Sequence, residues 1–468
     1  MSLRDIRIWP AWAGLGGLVA ACTGAASHPL LALGLPVALL AGLVLFSSPF
    51  AGVLALTAFS HLDAIEKALF GFLPISAFKL ITASLGAILL LRGWQFRNQL
   101  CLLLRDPVTT CAMLTIGCAC VSAVFAADKS RALSAIQDFA SLFFLMSLIV
   151  AFTDTRKRLV LLIYTLVATS LVSALLLLLD IATGLSFAHS EAATTARTAE
   201  GFDRSSGGSD QNPTTAAAML LTGVVFALVH FLERRQLRGV AFCVVSIGTL
   251  AVILSFARSA VVAYALILIA LFWRYRRERF IPLALICTLF GLLLALPVIP
   301  PQYWDRLASI LGTSSNDWTL GRRLTYNLIG LDLLARHPFV GVGPGNFPHY
   351  FVQPEYRFLP GRTLYGRELH NMYMSMAVQL GMGSLPFFAM IGYALSRLRA
   401  VIHDPADDQM RVIALALAYG VVAFLITCIF MPSEFTKYPW LLSAICAVTY
   451  HINLSERSKC QMATGRSP

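Results

Sequence analysis

Residues 156–182 read RKRLVLLIYTLVATSLVSALLLLLDIA: three basic side chains, then an apolar run whose only charge is Asp180, near its far end. A membrane's hydrocarbon core takes roughly 20 residues of helix, because a backbone cut off from water must satisfy its own hydrogen bonds. The run is long enough to cross, and the cluster Arg156-Lys157-Arg158 marks its start as cytoplasmic. The reading is an all-α, polytopic integral membrane protein.

The same pattern recurs on both sides of this stretch. Candidate spans fall near 9–26, 29–46, 48–64, 69–92, 108–127, 135–153, 158–182, 213–232, 238–256, 259–274, 280–299, 371–396, 411–430 and 436–453, up to fourteen in all. Arginine-rich connections at 92–105, 156–158, 234–238, 274–279 and 397–411 are separated by two spans each, so all of them belong on the cytoplasmic side. The intervening connections 128–134, 183–212, the turn at Arg258, 300–370 and 431–437 then face the other side, and both termini are cytoplasmic. The chain divides into N-terminal helices (1–299), a large exterior loop with short helical pieces (300–370), C-terminal helices (371–453) and a cytoplasmic tail (454–468).

Composition agrees. The 468 residues are 57% hydrophobic and 13% charged, too apolar for a polar shell to cover. The net charge of +12 is explained by topology, so nucleic acid is not implied. Eight of the ten cysteines lie inside apolar runs and read as packing residues rather than disulfides or metal ligands. Arg4 and Arg7 precede an apolar stretch without a clean cleavage pattern, so the first segment is expected to stay as an anchor.

The exterior side should be poor in basic residues, yet it carries Lys129, Arg131, Arg197, Arg204 and Arg258, with seven arginines between 300 and 370, Arg322 and Arg323 among them. Either an anion is recognised there, or these side chains reach lipid phosphates and nearby acids. Arg258 stands apart, because almost no loop separates the spans around it and its charge is held at the membrane boundary. His370 begins His370-Asn371 where the long loop re-enters the bilayer. An imidazole there accepts a proton near neutral pH or merely helps start the next helix. The stretch Arg204 to Pro213 reads equally as an anion-binding run of small residues and as an ordinary pre-helix loop with Pro213 in the first turn. The glycines of 341–345 form a turn without the context of a nucleotide loop, and Lys79, inside a span, is the main hook for a transport pathway. No metal-ligand spacing is apparent and no cofactor is implied.

Arg204 with Gly207 and Asn212-Pro213, the Ser255–Ala260 segment holding Arg258, Gly341-Val342-Gly343-Pro344-Gly345-Asn346-Phe347 after His337-Pro338, and His370-Asn371 occur in an order that resembles the O-antigen ligase and polymerase superfamily. One departure is Ser-Phe-Ala-Arg-Ser-Ala where many relatives carry Ser-Arg-Gly. The resemblance implies a membrane-embedded glycosyltransferase with about twelve spans in the bacterial inner membrane. It would take a glycan from undecaprenyl pyrophosphate on the periplasmic face and, in the ligase branch, pass it to lipid A-core by inverting displacement without a metal. His370 would be the base and Arg258 the catalytic cation, with Arg204, Arg197, Arg131, Arg322, Arg323 and Asn371 on the substrates. A polymerase, a glycan-to-protein transferase and a transporter remain the alternatives.

Overall fold

The computed structural model describes residues 42–71, 75–190, 204–234, 236–278, 318–360, 365–404 and 407–464. Among them every regular element is helical. The first half contains α1 (Pro49–Phe59), α2 (Asp63–Phe70), α3 (Ala77–Leu91), α4 (Arg97–Arg105), α5 (Pro107–Val124), α6 (Lys129–Phe152) and α7 (Arg156–Thr183). Then follow α8 (Pro213–Glu233), α9 (Arg238–Leu254), α10 (Arg258–Tyr275), α11 (Trp318–Arg336), α12 (Phe347–Phe351), α13 (Met372–Leu380), α14 (Leu385–Ile402), α15 (Asp408–Thr427) and α16 (Lys437–Thr464).

Seven stretches are long and apolar enough to cross a membrane, namely α5, α6, α7, α8, α10, the continuous α13–α14 run and α15, and α1, α3 and α9 are shorter apolar helices. Of the expected spans, 9–26, 29–46 and 280–299 fall wholly or largely outside the described residues. Two others change shape. The 48–64 span is two helices broken at Ser60–Leu62, because the Asp63 carboxylate turns aside to take hydrogen bonds from Ser209 Oγ (3.0 Å), the Asp210 amide (2.7 Å) and Gln211 Nε2 (3.0 Å). The 69–92 span starts only at Ala77, where Ser76 Oγ caps the Lys79 amide. Lys79 is therefore an exposed first-turn residue rather than a mid-span cation, and the hook for a transport pathway goes with it.

Helix boundaries follow local chemistry. Asp106, Thr155 and Asn212 each cap the helix they precede, Pro107 and Pro213 occupy first positions where no amide is needed, and Gly184 closes α7 in the left-handed region (φ 73°). The central helix is α8, packed by α7, α9, α10 and α15 and buried along nearly its whole length. Close approach there requires glycine: a Cβ on Gly223 would lie 2.1 Å from Ser170 Oγ. Small residues at helix contacts are how bundles in lipid pack, since lipid is as apolar as leucine.

The two ends of the bundle differ. At one, Arg156 forks onto Asp407 (2.6 Å) and reaches Glu456 (3.4 Å), Arg411 bridges Glu233 (3.1 Å) and Asp408 (2.8 Å), and Asp106 faces His451 (2.8 Å) and Arg397 (3.5 Å). These contacts gather connections 156–158, 234–238, 274–279 and 397–411 at one end, as the spacing of their arginines requires. The opposite end holds the connections before α6 and α8, the α9–α10 corner, the head of α13 and the candidate site.

Candidate functional site

Two of the predicted arginines meet at the α9–α10 corner. Only Ser255–Ala257 separate the helices, and Phe256 adopts φ 53°, left-handed backbone that a phenylalanine accepts only at a cost of about 1–3 kcal/mol. Ser255 holds the corner, its Oγ donating to Val252 O (2.7 Å) and accepting from the Ala257 amide (3.2 Å). Arg258 is the first residue of α10 and half-buried. Arg204 is buried and lies across this corner, its Nε toward Ser255 O (3.4 Å) and an Nη on Thr214 Oγ1 (3.1 Å). One guanidinium thus fastens the start of α8 to the carbonyl three residues before the other.

The glycine and serine run after Arg204 is structural. The Gly207 and Gly208 amides donate to Ser205 Oγ (3.1 Å) and Ser173 Oγ (3.4 Å), Ser209 N to Ser206 O (3.2 Å), and Asp210 N to Asp63. Amides already bonded within the protein are not open to an anion, so of the two readings of this run the pre-helix loop is the better one.

A second cluster forms at the head of α13. Asn371 is the N-cap, its Oδ1 accepting from the Tyr373 amide (3.0 Å) and the Met374 amide (3.1 Å). That occupies the oxygen expected to meet substrate. His370, just outside the helix, lies 5.5 Å ring to ring from Tyr326 of α11. Burial, then the charges of Arg323 and Arg367, lower its proton affinity from the usual 6.5 to about 4, so the imidazole is neutral at physiological pH. Arg323 comes from α11, with its guanidinium 5.8 Å over the Phe430 ring. Arg367 places one Nη against Tyr365 Oη, while its Nε is buried and has no hydrogen-bond partner among the described residues. The cluster hangs on α15 through the Met372 amide, which donates to Cys428 O (2.9 Å).

The turn 341–346 ties α13 to the start of α6. Gly341, Gly343 and Gly345 all have positive φ, and a Cβ on Gly341 would lie 2.3 Å from the Gln379 backbone. Gly345 N donates to Gln379 Oε1 (2.6 Å), and Asn346 clamps Asp128, accepting from its amide (2.8 Å) and donating to its carbonyl (3.2 Å). Arg131, one turn on, pairs with Asp128 (3.2 Å) and stays half exposed. Beneath lies Glu434, fully buried, accepting from Ser375 Oγ, Gln379 Nε2 (3.1 Å) and the Ser433 amide (2.9 Å). Burial pushes its carboxyl above the usual range, and those donors pull the other way.

Arg131, Arg204, Arg258, Arg323, His370 and Asn371 thus all lie at the end opposite the arginine-rich one. Arg197 lies outside the described residues, and for Arg322 only the backbone, in α11, is described. Sequence reasoning missed Arg367 and Glu434. The first was hidden among seven arginines of one loop, and the second, an acid between two apolar spans, was detectable only as a charge at a span's end.

These features define a multi-pass helical membrane protein with a cationic site at one end of its bundle. Over residues 241–389, from α9 into α14, the chain matches the family model of the O-antigen ligases. No curated protein matches the chain.

Proposed function

We propose that this protein is an O-antigen ligase, moving a glycan from undecaprenyl pyrophosphate to a sugar hydroxyl of lipid A-core on the periplasmic face of the bacterial inner membrane. The observation that carries the reading is His370 set beside Arg323 and Arg367, within the matched region and next to a buried guanidinium Nε that meets no acceptor among the described residues. An anion of the diphosphate class would supply that partner.

In the proposed reaction the acceptor hydroxyl oxygen bonds to the anomeric carbon, and the bond from that carbon to the pyrophosphate oxygen breaks with its electron pair leaving on the pyrophosphate. The hydroxyl proton passes to His370, a step of the kind worth on the order of 10²–10⁴-fold. Arg258 stabilises the departing oxyanion, and Arg204 holds the corner on which Arg258 sits. Preorganised cations around a developing charge contribute several kcal/mol, about 3–4 for one well-placed donor. Arg131, Arg197, Arg322 and Arg323 supply further contacts to donor and acceptor phosphates. A bound diphosphate also offsets the two cations that suppress His370, so its proton affinity rises when the substrate is in place. The displacement inverts the anomeric centre and needs no metal ion.

The test is transfer in isolated membranes by Arg258→Lys and His370→Ala at wild-type abundance. Loss of transfer in both is expected, and full transfer in both defeats the assignment of roles. In cells lacking the protein, polymerised glycan should remain on its lipid carrier while lipid A-core stays bare. Unpolymerised glycan instead would make the protein a polymerase.

A further inference from the structure

At the arginine-rich end most guanidinium groups have carboxylate partners: Arg156 with Asp407 and Glu456, Arg158 with Asp154, Arg234 with Asp408, Arg411 with Glu233, Arg397 with Asp106. The segment 92–105 breaks the pattern. Arg92 donates to Phe46 O (2.9 Å) with its guanidinium 3.8 Å over that ring, Arg97 lies 4.9 Å over the Trp94 ring, and neither they nor Arg105 meet a carboxylate among the described residues. Arg238 and Arg276 are also held by aromatic rings, but among the described residues of this end only 92–105 places three arginines without a carboxylate partner within fourteen consecutive residues.

The same segment leaves apolar surface uncovered. Trp94 is 80% exposed, Leu104 63% and Leu102 43%, and of the leucines of α4 whose side chains are described only Leu103 is buried. In water the exposed indole and leucines would be unfavourable, although the cations would be hydrated. At a membrane surface each group is satisfied, the indole and leucines at the acyl boundary and the cations among phosphates.

We propose that residues 92–105 are a binding surface for anionic phospholipid headgroups of the adjacent leaflet, gripped by Arg92, Arg97 and Arg105 and anchored by Trp94 with Leu102 and Leu104. The surface is separate from the candidate glycan site and does not depend on how that site is read. A basic residue near an anionic membrane surface adds about fivefold to binding, so removing all three should weaken it on the order of a hundredfold.

The experiment is native mass spectrometry of the full chain with phosphatidylglycerol, phosphatidylcholine or inorganic phosphate added, comparing wild type with the triple variant Arg92→Gln, Arg97→Gln, Arg105→Gln. The proposal expects phosphatidylglycerol adducts on wild type that are depleted in the triple variant and not displaced by inorganic phosphate. Unchanged adducts in the triple variant, equal retention of phosphatidylcholine, or complete displacement by phosphate overturns it. Should the triple variant not fold, Arg105→Gln alone and quenching by brominated phosphatidylglycerol serve instead. The Trp94 signal, taken as wild type minus Trp94→Phe, must be quenched in wild type and less so in Arg105→Gln; equal quenching in both overturns the proposal.

Discussion

Glu434 allows a stability prediction whose parts can be separated. Replacing it by Ala removes the acceptor of the Ser375 hydroxyl and of the Ser433 amide, while Gln379 Nε2 keeps its bond to Ser375 Oγ (2.7 Å). A buried donor left unmade costs about 1–3 kcal/mol, so two cost about 2–6, against a typical folding margin of about 5–15 kcal/mol. Removing a buried carboxylate relieves a desolvation cost of several kcal/mol, which opposes the loss. Three donors converge on this one group, so the unmade bonds should win in the single variant. Glu434→Gln keeps an acceptor oxygen for these donors without the buried charge, so it should melt closer to wild type than Glu434→Ala does. Gln379→Leu instead removes the acceptor of Gly345 N and frees the turn that docks on α6, so transfer should fall. The assay is thermal unfolding in detergent followed by tryptophan fluorescence, for which Trp440, donating to Glu434 O (3.1 Å), is a nearby reporter, with transfer measured at matched abundance. If Glu434→Ala melts with wild type, or Glu434→Gln falls as far as Glu434→Ala, the argument from unmade bonds is wrong.

Two further outcomes follow from the same end of the bundle. With His370 titrating near 4, transfer should hold from pH 8 to about pH 5.5; Arg323→Gln removes one of the repelling cations, so the acid limb should move up toward 6.5, and an unmoved limb would mean that Arg323 does not act on His370. Stability has the same sign, since a histidine with depressed proton affinity contributes fully above pH 6.5 and progressively less as pH falls toward 4. Gly343→Ala should abolish stable expression, its φ being 98° and its new Cβ 2.4 Å from Ala126 Cβ, whereas Gly392→Ala, with open space around it in α14, should be neutral or stabilise by about 0.5–1 kcal/mol; measured abundance decides between them.

The bundle was legible because lipid leaves the backbone few choices. An apolar run near 20 residues must be helical, so α5, α7 to α10 and α15 start and stop within about three residues of where hydropathy puts them, whereas α6 starts six residues early, α14 ends six late and α16 continues to Thr464, eleven residues past the expected span and into the expected tail. The failures were where charge sits inside an apolar run. Asp63 interrupts a stretch whose averaged hydropathy looks continuous, and only its tertiary partners, Ser209 to Gln211, show that the helix stops, while the Ser76 cap starts a new helix with Lys79 in its first turn. Asp180, near the far end of its span, is buried.

The site was half legible for a related reason. A lone arginine at a membrane boundary announces itself by its cost, which is how Arg258 and Arg204 were found, yet sequence cannot say whether that cost is offset by a ligand or by the protein. Arg204 is answered by Ser255 O and Thr214 Oγ1, and Arg131 by Asp128, so both have structural work whatever else they hold. Arg367 is the reverse case, nondescript in sequence but with a buried Nε that meets no acceptor among the described residues. An unmet buried donor costs about 1–3 kcal/mol in the free protein and recovers that when an acceptor arrives. For this reason Arg367, and not the more conspicuous Arg204, is where an incoming anion gains most. Arg367→Lys, which keeps the charge but loses the Nε, should therefore weaken donor binding more than Arg131→Lys does.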